Sequence, residues 1–145
     1  MVKVEKMSAS DLEQIIGLAD QLGYPNSLED VRDRFRNIEN CPTHGLFVAK
    51  TDGGKIVGYI QINFEPETLL AGPRADIAAL VVDETQRSQG VGTALLKHAE
   101  LWAKEKGLSH VRIRSNMKRK DAHRFYEKNG YAINKSSQIF VRTIT

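Results

Sequence analysis

The succession Ile77-Ala78-Ala79-Leu80-Val81-Val82, Arg87-Ser88-Gln89-Gly90-Val91-Gly92 and a long amphipathic run from 91 to 106 decides the fold. The first run is apolar and strand-like, and the last has helical spacing. A glycine-spaced turn at a helix start leaves several backbone N–H groups with no intrahelical partner. With the positive end of the helix dipole, those donors suit a phosphate. Glycines at 90 and 92 let the backbone approach a ligand without a Cβ in the way. The series continues Thr93-Ala94-Leu95, so the third glycine of the dinucleotide fingerprint is missing. No Lys-Ser or Lys-Thr follows, which argues against a nucleoside-triphosphate loop. Spacing alone leaves two readings open, a plain strand–turn–helix or a phosphate site.

Working outward, residues 2–7 alternate like a strand. Ser10-Asp11-Leu12-Glu13 has the capping-box form, followed at helical spacing by Ile15, Ile16, Ala19 and Leu22. Gly23 stops that helix and Pro25 prevents its resumption. Ser27 caps a second helix to about residue 38, striped by Leu28, Val31, Phe35 and Ile38. Residues 46–49 and 56–62 are β-rich and flank Thr51-Asp52-Gly53-Gly54, which predicts a hairpin. A loop over 65–73 precedes the central strand. Beyond Gly107 come a strand at 111–114, a helix from 119 to 129 ended by Gly130, and two strands at about 131–134 and 138–144. The order β-α-α-β-β-β-α-β-α-β-β predicts an α/β (α+β) fold over 1–145, a mixed sheet flanked by about four helices in one domain.

At 145 residues the chain suits one domain with a real core, and 41% apolar with 27% charged content describes a soluble globular protein. No stretch approaches the ~20 apolar residues of a membrane span, and the N-terminus lacks a signal peptide's apolar region. The single cysteine, Cys41, fits a reducing compartment, so a cytoplasmic location is expected. Net charge is +3, and only Lys118-Arg119-Lys120 forms a tight basic cluster. That cluster reads as a solvated loop or a phosphate contact. No aromatic-studded basic strand or recognition helix accompanies it, so neither a nucleic-acid nor a membrane partner is expected.

Two segments together resemble a known family. Leu80-Val81-Val82 with Arg87-x-x-Gly90-x-Gly92 resembles the acetyl-CoA-binding motif of the GNAT N-acetyltransferase superfamily. Ala122-His123-Arg124-Phe125-Tyr126-Glu127-Lys128-Asn129-Gly130-Tyr131 is similar to its second motif, a short helix with an aromatic pair ending in Gly-aromatic. Within the family, Ser115-Asn116-x-Lys118-Arg119-x-Asp121 through Tyr126 resembles the bacterial aminoalkylphosphonate N-acetyltransferase branch.

The resemblance implies an acetyl-CoA-dependent enzyme that moves an acetyl group directly to the primary amine of a small molecule. It implies that backbone N–H groups of Gln89, Gly90, Val91, Gly92 and Thr93 bind the CoA pyrophosphate beside Arg87. Leu80, Val81 and Val82 then pair with the pantetheine arm like an added strand, and Asn116, Ala122 and Phe125 complete the cofactor side. Tyr126 is implied as general acid, since a phenol with a pKa near ~10 stays protonated at neutral pH; its other reading is core packing on a helix face. Asp76 stands where many relatives carry a glutamate that accepts the amine's proton. One methylene shorter, it suits a water relay, and its other reading is a salt bridge with Arg74. The segment 63–73 and the first helix pair, 11–40, would line the acceptor site. His98 shares a helix face with Ala94 and Trp102, which suggests packing, and the histidines show no metal-ligand spacing. Cys41 reads as non-catalytic, no metal is expected, and dimers are common in the family. A protein or peptide acceptor and a non-catalytic acyl-CoA-binding module are the other function classes the residues allow.

Overall fold

The alternating and apolar runs become five strands, β1 (Val2–Lys6), β2 (His44–Thr51), β3 (Ile56–Glu65), β4 (Arg74–Val82) and β5 (Val111–Ile113). Among the described residues four α-helices accompany them: α1 (Leu12–Gln21), α2 (Leu28–Ile38), α3 (Val91–Glu105) and α4 (Lys120–Lys128). The computed structural model describes residues 1–87, 89–114 and 120–144. It divides into two units, Met1–Arg114 and Ser115–Thr145.

In the first unit the sheet runs in the order β1-β2-β3-β4-β5, antiparallel except for the parallel β4–β5 pair. One face carries Leu46, Val48, Ile56 and Val81 into a core with Leu12, Ile15, Leu18 and Phe35 of α1 and α2. On the other, Ile60, Ile62 and Val57 are fully enclosed, as are Leu95 and Leu96 of α3. Each such aliphatic side chain contributes roughly 1.5–3 kcal/mol on burial. Two β-glycines bring α3 close. A Cβ on Gly58 would lie 2.9 Å from the Val81 carbonyl oxygen and 3.0 Å from Leu95 Cδ1. One on Gly45 would meet Trp102 and Ile62 at 2.9 Å.

The start of the first helix differs from its predicted form. The box forms at Ser8 and Asp11 rather than at Ser10 and Glu13. Ser8 N–H donates to Asp11 Oδ2 at 2.8 Å, and a 3-10 turn over Ala9–Asp11 leads into α1. Asp11 is buried and also meets Lys50 Nζ at 3.2 Å, which fixes the short acid at that spot. Ser27 caps α2 as expected, accepting from Asp30 N–H at 3.1 Å.

In the second unit α4 ends at Gly130, whose φ of 91° suits a helix stop. The two strands expected at 131–134 and 138–144 are absent: those residues have no regular structure among the described residues. Ile139, Phe140 and Val141 are exposed there. Strand propensity reflects packing against a partner strand, and no described strand offers a ladder to this run.

Candidate active site

β4, the turn after it and the start of α3 form the first part of the site. Asp83 ends the strand, and its N–H donates to the Val57 carbonyl at 2.8 Å. The buried Asp83 carboxylate accepts from Thr85 N–H at 3.0 Å and from Thr85 Oγ1 at 2.9 Å. These bonds hold its pKa below the ordinary carboxylate value. Gln21 Oε1 of α1 accepts from Glu84 N–H at 3.0 Å, tying the turn to the first helix. Gly90 then caps α3 at φ 82°, a left-handed conformation that favours glycine. Among the described residues no side chain caps this end, and no acid stands in its first turn. Ala94 N–H closes the first turn on the Gly90 carbonyl at 3.0 Å, so the N–H groups of 91–93 have no intrahelical acceptor.

Arg87, Gln89 and Gly90 are exposed here, Thr93 is half-buried, and Val91 and Gly92 are buried. Val91 therefore offers a ligand its backbone, not its side chain. A cleft of about 340 Å³ adjoins the turn, lined by Gln86, Gln89 and Val91 with Met1, Thr51 and Asp52. The contribution of the β2–β3 turn to this wall had no local sequence signal.

The second part is the free edge of β4. β5 pairs with Ala75, Asp76 and Ile77 only. Beyond them the edge away from β3, over 78–82, has no partner strand among the described residues. The β3–β4 register also shifts here: Gln61 faces Ala79 and Ile62 faces Ile77, so Ala78 has no opposite residue. Such a bulge re-aims the strand and frees backbone groups. Val81 points into the core while Leu80 and Val82 are half-buried.

The third part is a polar row across the sheet. His44 faces Asn63, Asn63 faces Asp76, and Asp76 faces Arg112. Gln61 Nε2 donates to Asn63 Oδ1 at 3.1 Å on the same face. Asp76 forms its ion pair with Arg112, whose Nε donates to Oδ1 at 3.0 Å, and not with Arg74. Its partner thus comes across the parallel pair rather than along its own strand. The Asp76 side chain is 15% exposed. Arg74 lies two residues back on the same face, half-buried, with a buried Nε that has no hydrogen-bond partner among the described residues.

In the second unit, Ala122, Phe125, Tyr126 and Asn129 share the half-buried stripe of α4. Phe125 and Tyr126 meet edge to face at 5.5 Å, and Tyr131 lies 6.3 Å from the Tyr126 ring. Tyr131 N–H donates to the Tyr126 carbonyl at 3.0 Å. Asn116 lies outside the described residues, as do Ser115 and Lys118. Within the first unit the chain brings together Asp76, the β4 edge and the glycine turn; Tyr126 belongs to the other unit. His98 packs its ring 4.5 Å from Phe47. Among the described residues no three His, Cys, Asp or Glu side chains gather as a metal-ligand set.

Residues 12–131 match the acetyltransferase (GNAT) family. The chain belongs to that family. Over 78 residues it is 37% identical to the aminoalkylphosphonate N-acetyltransferase of Salmonella typhimurium, a stretch covering 54% of this chain and 51% of that protein. It thus spans about half the length of that relative. It is 25% identical over 125 residues to aminoglycoside N(6')-acetyltransferase type 1 of Serratia marcescens, covering 84% of this chain and 86% of that one. Among solved structures it superposes on AAC(6')-Iy, held in complex with the bisubstrate analog CoA-S-monomethyl-acetylneamine, with a TM-score of 0.86 and 99% coverage of both chains. At 17% identity that likeness shows the fold. In this GNAT chain the mixed five-stranded sheet and four α-helices are the family's architecture. No helix among the described residues is long and apolar enough to cross a membrane.

Proposed function

We propose that the chain acts over 1–145 as one acetyl-CoA-dependent N-acetyltransferase domain that transfers acetyl directly to the primary amine of a small molecule. The observation that carries this reading is that, among the described residues, the start of α3 behind a left-handed Gly90 is uncapped and the adjacent β4 edge over 78–82 has no partner strand. An anion fits the first, and an extended amide-bearing arm fits the second. Both are features of one ligand, and acetyl-CoA supplies with them a thioester open to attack by an amine.

The residues then take distinct parts. N–H groups from Gln89 to Thr93 bind the pyrophosphate, with Arg87 alongside, while Leu80, Val81 and Val82 present backbone to the pantetheine. A backbone N–H near Val82 polarises the carbonyl; losing one such donor costs ~2.7–4 kcal/mol of barrier stabilisation. Asp76 takes a proton from the ammonium through water, using the carboxylate oxygen that Arg112 does not hold. The amine nitrogen forms its bond to the carbonyl carbon, and the C–S bond breaks as the tetrahedral centre collapses. The electron pair leaves on sulfur with a proton from Tyr126, and the nitrogen's second proton returns through water to the Tyr126 phenoxide. Asn116, Ala122 and Phe125 belong to the cofactor side in this reading. A cytoplasmic location and a homodimer go with it, resting on the lone Cys41 and on the family.

Thiol release from acetyl-CoA, measured with aminoalkylphosphonates, aminoglycosides, polyamines, amino acids and peptides, tests the reading. Turnover of a small amine, reduced ~10²–10⁴-fold in kcat by Tyr126→Phe, is the expected result. Acetyl-CoA binding without turnover of any amine, unchanged in that variant, would leave a binding module instead.

A further inference from the structure

The two named relatives differ in the charge of their acceptors: one acts on amines that carry a phosphonate, the other on amine-rich sugars. Arg74 bears on that choice. A guanidinium stays charged throughout the biological pH range, and an enclosed N–H without an acceptor costs free energy. Arg74 Nε is such a group, buried and without a partner among the described residues. The nearest candidates on its face are otherwise placed. Asp76 pairs through Oδ1 with Arg112 at 3.0 Å, and neither it nor Glu65, opposite in register, forms an ion pair with Arg74 among the described residues. Ala75 and Ile77 are buried on the other side of the strand, which holds Arg74 and Asp76 on one face.

We propose that Arg74 is the specificity residue of the acceptor site, and that its guanidinium binds an oxyanion carried by the amine substrate. This rests on the N-acetyltransferase reading above. Residues i and i+2 of a strand stand about 7 Å apart. An acceptor whose amine sits by Asp76 therefore reaches Arg74 with a carboxylate, phosphonate or phosphate three or four bonds further along. The Arg fork matches each of these oxyanions with two parallel N–H donors, which a lysine does not supply.

The test compares acceptors of one size: 2-aminoethylphosphonate, O-phosphoethanolamine and β-alanine as anions, ethanolamine as the neutral amine, ethylenediamine as the dication. In the wild type kcat/KM for the preferred anion exceeds that for ethanolamine by at least about tenfold. Comparing the three anions shows whether phosphorus or carboxylate is the natural head group. Arg74→Gln removes the preference through KM and leaves ethanolamine within about twofold, while Arg74→Lys keeps part of it. Should Arg74→Gln fail to fold, Arg74→Lys still reads the loss. A second readout needs no turnover: the Arg74 Nε–H resonance shifts on titration with 2-aminoethylphosphonate or β-alanine. Turnover with no preference for anions, or an Arg74→Gln loss equal for ethanolamine, overturns the proposal and leaves the acetyltransferase reading intact. A shifted Arg74 resonance with no amine acetylated supports the anion site and overturns the reading beneath it. An unmoved resonance at saturating concentrations of every anion overturns the site.

Discussion

Residues 75–77 of β4 are paired on both edges, include Asp76 and stand next to Arg74 and Arg112, the charged end of the sheet. Residues 78–82 of the same strand are paired on one edge among the described residues and carry no charged side chain. The boundary between them is a single unmatched residue, Ala78. One strand thus presents two environments: a polar row suited to holding an amine and its proton, and a free backbone edge suited to an extended, amide-bearing donor. The bulge lies on the β3 edge at the same point where the β5 pairing on the other edge ends. A change confined to one half should leave the other's ligand alone, which makes the comparison breakable.

The largest effect tests the charged half. Asp76→Asn keeps the shape and the Arg112 contact but removes the proton acceptor, so kcat/KM for the amine should fall ~10²–10⁴-fold at neutral pH. Acetyl-CoA affinity, measured by calorimetry, should stay within about twofold. A parallel loss of donor affinity would mean that the halves are not independent. Next comes Gly58→Ala, which acts on the free half from behind. Its Cβ meets the Val81 carbonyl oxygen at 2.9 Å and Leu95 Cδ1 at 3.0 Å, so the β4 backbone at Val81 must shift while the end of Leu95 turns aside. Urea unfolding should show a loss of ~1–3 kcal/mol, with weaker acetyl-CoA binding. The same substitution at Gly72, which has open space around it, should do neither.

The smallest effect concerns the entry to the glycine turn. Asp83→Asn weakens two hydrogen bonds from Thr85 and should cost about 1 kcal/mol at pH 7. The sign of its pH dependence follows from its lowered pKa. The wild-type carboxylate stabilises the fold above its unfolded value of ~3.9, and that contribution is lost as pH falls through the lower folded value. The stability gap between wild type and Asp83→Asn should therefore be full at neutral pH and close in acid. A gap that is the same at pH 7 and pH 2 would show that the carboxylate charge is not what holds the turn.

Much of this arrangement was legible in the residues. The apolar run into Gly90-Val91-Gly92 gave β4, the turn and α3, and the stripe Ala122, Phe125, Tyr126 with Gly130 gave α4. Nine of the eleven elements stand in the predicted order. What local sequence could not carry was pairing at a distance. Asp76 meets Arg112 across 36 residues, a contact set by β4–β5 register, so the neighbouring Arg74 was the natural but wrong partner to name. The Ala78 bulge and the tight seat of α3 on Gly58 have the same origin: each is a property of two elements. The Ser8–Asp11 box was missed because Ser10 and Glu13 satisfy the same pattern two residues later, and burial beside Lys50 decided between them. The strands expected at 131–134 and 138–144 needed a partner strand, which a local run of residues such as Ile139, Phe140 and Val141 does not itself supply.

Amide hydrogen exchange, followed residue by residue with and without CoA, tests the two-halves account most directly. Protection should rise at 89–93 and at those amides of 78–82 that aim away from β3, while 75–77, already in a double ladder, stay unchanged. New protection centred on 75–77, or none at the glycine turn, would contradict it.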